Sequence, residues 1–196
     1  LRYRKEQARF WASSYEEKRP ELTTAQRKML SHYDNATLYN DSIVAQIVKR
    51  FQKEDAVVIY VPDHGEECYE EDRGFICRNH SANIDWPLAH YEFEIPFWIY
   101  CSPKYIRNHR DIYRQIRKAK DKRFMTDALP HLLLYLAGIK TPTYKEEYNI
   151  LSPKYNEMRP RILKNSADYD QLRDEHLKKV EKEKSKKEKS KKGDKK

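Results

Sequence analysis

"AVVIYVPDHGEE", residues 56–67, runs through six apolar or aromatic positions into a proline and then a crowded polar group. A short, continuous apolar run rich in β-branched residues reads as a strand covered on both faces of an α/β sheet. Pro62 ends it by withdrawing a backbone donor. Asp63 and His64 then stand at the carboxyl end of that strand, where open α/β sheets hold their ligands. A carboxylate oxygen and an imidazole nitrogen are both zinc ligands, and Gly65 is expected to let the chain turn sharply enough for the two to converge. An ordinary surface turn is the alternative for adjacent Asp and His. A third reading, a pair serving a serine or cysteine nucleophile, requires an elbow such as GxSxG, and the sequence has none.

The stretch from Asp63 to Glu94 is a long polar excursion before the next strand, and excursions of that length are more often functional than decorative. It carries His80 and His90, each able to complete a coordination sphere or to grip a phosphate, or else to bond backbone as a loop histidine. Arg73 and Arg78 offer bidentate donors to a phosphoryl group. Glu66 and Glu67 would add negative charge beside a metal and orient its ligands. His131, inside "ALPHLLLYLAG", reads as structural.

Residues 25–52 hold no Gly or Pro, and Leu30, Tyr33, Thr37, Val44, Ile47, Val48 and Phe51 recur at helical spacing. Thr23 or Thr24 is available as a cap. Asn40 and Asp41 interrupt the apolar side, either where the stripe leaves the core or where it faces a cleft. "IPFWIYC", 95–101, predicts a second strand. Helical patterning returns over 104–120 and again before Gly138, a natural stop. The segment from 139 to 175 reads as an extended return across the surface.

The charge is unevenly distributed. Residues 178–196 hold eleven lysines against Glu181, Glu183, Glu188 and Asp194, seven of the nine net positive charges, so residues 1–177 carry only +2. That argues against a specific nucleic-acid partner, which needs a basic face or module on the folded body. With Val180 as its one apolar residue, the tail is expected to be disordered or at most a solvated helix. It reads as a solubilising terminus with weak affinity for anionic lipid or other phosphate-rich surfaces. Cys68, Cys77 and Cys101 form no CxxC pair. A Cys68–Cys77 disulfide would suit an oxidising compartment, although spacing alone does not establish it. No run approaches the length of a membrane span.

In order along the chain, "HYDNATLYNDSIVAQIVKRF", "AVVIYVPDHGEECYE", "GFICRNHS", "YEFEIPFWIYCS" and "TDALPHLLLYLAGI" resemble the carboxy-terminal part of the phosphoethanolamine transferases, in the sulfatase-like, alkaline-phosphatase superfamily. The similarity runs from about residue 26 to residue 139. "RYRKEQARF", "NILSPKYNEMRPRIL" and "DYDQL" resemble flanking segments of the same family.

That resemblance implies a partial alkaline-phosphatase-like α/β/α sandwich over residues 1–177, leaving a sheet edge or helix face exposed, followed by the lysine-rich tail at 178–196. It implies a bacterial inner-membrane zinc enzyme with its catalytic domain in the periplasm, moving phosphoethanolamine from phosphatidylethanolamine to a lipopolysaccharide lipid A or core sugar. A phosphothreonine intermediate forms on the way. Asp63 and His64 match the family's Asp-His metal ligands, and His80 falls in the loop where relatives often place a histidine near the substrate phosphate; His90 and Arg78 are placed on the substrate side by the residue reading of the excursion alone. The threonine nucleophile, an acidic ligand and the membrane anchor fall in segments that relatives carry upstream, so this chain alone is expected to be inactive. A sulfatase or phosphodiesterase of the same superfamily, and a noncatalytic binding module, are the competing readings.

Overall fold

Thr23 opens the longest helix of the molecule. Its hydroxyl accepts from the Gln26 backbone N–H at 3.3 Å while the Gln26 side chain accepts from the Thr23 N–H at 2.8 Å, a reciprocal capping box. The computed structural model describes residues 3, 5–77 and 83–193, with backbone only at 72, 75–77 and 187–193. The helix, α1, spans Thr24–Phe51. The described chain divides into two compact units, Leu1–Ile59 with Ile99–Arg110, and Tyr60–Trp98 with Asp111–Lys196.

In the first unit, α1 buries Leu30 and Asn35. Asn35, from the "HYDN" motif, accepts from the N–H groups of Arg9 and Phe10 at 2.6 and 3.0 Å and donates to the Phe10 carbonyl at 2.8 Å. Three bonds from one amide fix the irregular amino-terminal segment to the helix, helped by Tyr15, which donates to Asp34. Asn40 and Asp41 are exposed, as are the apolar Met29, Leu38, Ile43, Ile47 and Phe51.

Strand β1 is Val57–Tyr60 and pairs with β4, Trp98–Cys101, in a two-stranded sheet. The β1 residues are half-buried and not fully covered, because a single paired neighbour shields them among the described residues. Ser102 locks the sheet end: its hydroxyl donates to the Glu54 carbonyl at 2.6 Å and caps α3, Pro103–Asn108, through the Tyr105 N–H. The single helix expected over 104–120 is broken. Asp55 lies 3.3 Å from the His109 imidazole and accepts from Asn108 at 2.8 Å, and His109 stacks on Tyr105. Those tertiary ties hold His109 outside helical geometry, and α4 restarts at Arg110–Ala119.

The second unit contains the polar excursion, which is far from a structureless loop. It holds a hairpin of β2, Glu67–Cys68, and β3, Phe75–Cys77, and then helix α2, Trp86–Phe93, capped by Asp85. Cys77 stands opposite Glu67, but a Cys68–Cys77 bond concerns a side chain outside the described set. Helix α5, Leu129–Leu136, ends at Gly138, whose φ of +68° suits glycine and lets Ile139 N–H reach the Leu134 carbonyl at 2.9 Å.

The expected extended return ends early. A hairpin of β5, Ile162–Leu163, and β6, Ala167–Asp168, turns the chain into helix α6, Tyr169–Gly193. The lysine-rich stretch, expected to be disordered or at most a solvated helix, continues that helix to Gly193 and is exposed over residues 181–186. No helix among the described residues is long and apolar enough to cross a membrane.

Candidate active site

The strand end delivers Asp63 and His64 to one mouth of a cavity of about 750 Å³. Their side chains converge, with Asp63 Oδ2 3.5 Å from His64 Nε2. His64 Nδ1 lies 2.6 Å from the Gly65 carbonyl and donates to it, which leaves Nε2 as the ring nitrogen on the Asp63 side. Two donors on one tetrahedral zinc, at ~2.0–2.2 Å each, stand roughly 3.3–3.6 Å apart. The residues present therefore fit two adjacent positions of such a sphere. No group of three or more His, Cys, Asp or Glu able to hold a metal occurs among the described residues.

Gly65 serves this arrangement differently from the expected sharp turn. Its φ is not positive. Its N–H donates to the Glu92 carbonyl at 2.8 Å, and a Cβ there would sit 2.1 Å from the Tyr91 carbonyl oxygen. Glycine is required because the end of α2 presses on the backbone just behind the Asp-His pair.

Three segments remote in sequence build the other walls. Glu94 and Phe97 follow α2; Lys120, Lys122 and Phe124 follow α4; Arg161, Lys164 and Tyr169 come from the β5–β6 hairpin and the start of α6. Lys164 and Asn165 both have positive φ, and Ser166 N–H closes the tight turn onto the Leu163 carbonyl at 3.0 Å. This turn holds the Lys164 ammonium 5.9 Å from the Phe93 ring centroid. Arg161 grips Asp170 through two nitrogens, at 2.5 and 3.2 Å, and Arg123 also donates to Asp170. The Arg161 hydrogen bonds hold the Asp170 carboxyl below its usual range against the opposing effect of burial. Burial, reinforced by the bond its hydroxyl gives Glu94, pushes the Tyr169 phenol up to about 12.

Two other acids of the excursion, Glu67 and Asp85, are spent on structure. Glu67 is fully buried, and Arg73 joins it to Asp85: Nε is 2.5 Å from Glu67 and Nη1 is 2.5 Å from Asp85. Burial pushes the Glu67 carboxyl above its usual range, and Arg73 only partly offsets this. Asp85, also penalised by burial, is nonetheless held low by Arg73 and by the Leu88 N–H. Arg73 thus has its guanidinium committed to two carboxylates, where the sequence offered it to a phosphoryl group.

His90 does not line the cavity. It sits on α2 with Nδ1 3.0 Å from Glu94 and its ring stacked on Trp86. Arg78 and His80 lie outside the described residues. His131 accepts from the Lys145 N–H and packs against Tyr148, a structural role as expected. The sequence reading overlooked Lys120, Lys122, Arg161 and Lys164; the Lys164-Asn165 pair between two short strand-like segments is the one local signal that marked a turn there.

The α/β scaffold thus presents a strand-end Asp-His pair to a cavity flanked by cationic side chains. The sulfatase family model matches residues 6–139, and the chain belongs to that family. It is 31% identical over 159 residues to phosphoethanolamine transferase EptC of Escherichia coli O18:K1:H7, covering 80% of this chain and 26% of that protein. It is 29% identical over 97 residues to Kdo(2)-lipid A phosphoethanolamine 7''-transferase of Escherichia coli K12, covering 48% of this chain and 16% of that protein.

The crystal structure of the C-terminal periplasmic domain of Escherichia coli EptC in complex with Zn superposes with a TM-score of 0.67 at 27% identity, over 87% of this chain and 47% of that one. The fold is thus part of an alkaline-phosphatase-like α/β domain. The chain spans about a quarter of the length of the first of these curated relatives and a little under half of the solved domain.

Proposed function

We infer that this chain forms part of the catalytic domain of a zinc-dependent phosphoethanolamine transferase facing the periplasm from the inner membrane. The enzyme moves phosphoethanolamine from phosphatidylethanolamine to a lipid A or core sugar of lipopolysaccharide. The observation that carries the reading is the 3.5 Å approach of Asp63 Oδ2 to His64 Nε2 at a strand end, inside a cavity whose far walls bear lysines and arginine. Asp63 and His64 hold two positions of the metal sphere. The remaining ligands and the threonine that becomes phosphothreonine belong to the rest of the catalytic domain. Zinc, when bound, lowers the pKa of a coordinated hydroxyl and neutralises phosphoryl charge.

The chain's own residues do the rest of the work assigned to them here. The Gly65 carbonyl fixes the His64 tautomer, so that Nε2 is the ligating nitrogen. Lys120 and Lys164 draw an anionic headgroup toward the Asp-His pair, and Phe97 and Phe124, stacked 4.8 Å apart, keep water from one wall. Glu94 supplies the negative charge that complements an ammonium, which suits a zwitterionic phosphoethanolamine better than a sulfate ester. His80 and Arg78 are assigned to the substrate phosphate, and His90 acts on the substrate side through Glu94.

The test is substitution in the full-length enzyme. Asp63→Asn and His64→Ala are each expected to lower transfer from phosphatidylethanolamine by more than about a hundredfold, beyond the 10–100-fold typical of groups that merely orient ligands. The bound zinc should fall with the activity. Transfer and zinc content that survive both substitutions would overturn the assignment.

A further inference from the structure

Helix α6 is fastened at its base and loaded with charge along its length. Trp86 of α2 stacks on His90 and, 5.2 Å away, on His176 of α6, while Tyr169 donates to Glu94 on the cavity wall. Beyond His176 the helix continues with Lys178, Lys182 and Lys186 at i, i+4 and i+8, on one face, with Lys179 beside them. At 100° per residue, Glu181 and Glu183 fall on either side of that arc and outside it. All four lysines are exposed, and none forms an ion pair among the described residues. Like charges at i, i+4 weaken a helix, so a row of them is stabilised when an extended polyanion lies along it.

We propose that this lysine face is a docking surface for an anionic, phosphate-bearing lipid surface, and that it holds the adjoining cavity against the membrane. From Lys178 to Lys186 this arc carries lysines with no acid between them, and such a row matches a flat layer of phosphates, whereas Lys184 lies on the opposite side of the helix. The rest of the chain carries only +2, too little net charge for the long basic track that a nucleic acid needs. The choice of lipid as the phosphate source rests on the proposed function; the binding does not, and it is measured without any activity.

The experiment is cosedimentation of the 196-residue chain with phosphatidylcholine vesicles, with and without phosphatidylglycerol, at low and high salt. Binding is expected only when phosphatidylglycerol is present, and to fall steeply with salt. At about fivefold per lysine, the triple variant Lys178→Gln, Lys182→Gln, Lys186→Gln should partition roughly a hundredfold more weakly. Removing the same charge at the other register, with Lys184→Gln, Lys187→Gln and Lys191→Gln, should cost far less. Equal losses from the two triples would reduce the effect to net charge and overturn the lysine face. Indifference to phosphatidylglycerol would overturn docking altogether, as would tighter binding to duplex DNA than to the vesicles at the same salt. A failure here leaves the Asp63 and His64 transfer assay untouched, so the two readings fail separately.

Discussion

Asp63 and Glu67 lie four residues apart in one acid-rich stretch and have opposite fates. The Asp63 side chain is 84% exposed at the mouth of a cavity, with the His64 imidazole 3.5 Å away, whereas Glu67 is 0% exposed and tied to Arg73. Gly65 separates them, pinned to the end of α2 by a hydrogen bond to the Glu92 carbonyl. On its near side a carboxylate keeps open coordination sites and remains available for chemistry. On its far side a carboxylate is desolvated and serves to anchor a hairpin. Burial, and not residue type, divides the proposed metal ligand from the structural acid in this stretch.

The largest effect expected from breaking that division comes from Arg73→Ala. It would leave the Glu67 carboxylate buried without its cation and free Asp85 at the α2 cap, and uncompensated burial of this kind costs about 3–5 kcal/mol. Chemical denaturation of the variant against the parent chain measures it. A loss below about 1 kcal/mol would mean that Glu67 is neutral or solvated in the folded state.

Gly65→Ala comes next. The new methyl meets backbone at 2.1 Å, not the yielding tip of a side chain, so α2 or the Asp-His turn has to move. Overpacking of this sort costs about 1–3 kcal/mol. Transfer by the full-length enzyme should fall with it, because the same displacement separates Asp63 and His64 from the wall that carries Glu94. Unimpaired transfer would show that the cavity tolerates the shift.

A smaller effect appears as a pH slope. Glu67 has a raised folded pKa, so the folded state holds its proton through the window above the ordinary carboxyl range, and the stability from this group declines as pH rises through that window. Asp85 on the same arginine has a lowered folded pKa; its contribution is present above the ordinary range and is lost as pH falls through the folded value. Glu67→Gln removes the first slope and keeps the second. Urea midpoints over roughly pH 4 to 8 should therefore shift in favour of the variant as pH rises. Parallel profiles would contradict the raised value.

Much of the scaffold was legible because local chemistry decides it. The apolar run at 56–61, the Thr23 cap and the Gly138 stop each act within a few residues, and β1, α1 and α5 follow. The Asp63-His64 pair was legible for the same reason, since a strand end displays whatever follows it. The break at His109 was not, because Asp55, some fifty residues earlier, imposes it. Nor were the cationic walls: Lys120 and Lys164 line the same cavity as Asp63 only through tertiary folding, and Arg161 is positioned by Asp170 across a hairpin whose strands are two residues long. The helical tail was ambiguous because low hydrophobicity argues for disorder while mixed Lys and Glu at helical spacing argue for helix. Glu67 misled most, since beside the Asp-His pair it reads as charge that orients a metal's ligands until the hairpin turns it inward against Arg73.

The sharpest use of the contrast is the substitution that should do almost nothing to folding. Asp63→Asn is isosteric, removes one charge from a highly exposed position and leaves the Gly65 and α2 contacts in place. Stability should stay within about 0.5 kcal/mol of the parent, the usual range for a surface change, and the urea midpoint is the measurement. An oxygen remains at the amide, but without the negative charge of the proposed ligand, so transfer and folding are expected to part company at this residue as they cannot at Glu67. A destabilisation above about 1 kcal/mol would instead make Asp63 a structural partner of His64. The distinction between the two ends of the stretch would then disappear, because both carboxylates would be holding the fold.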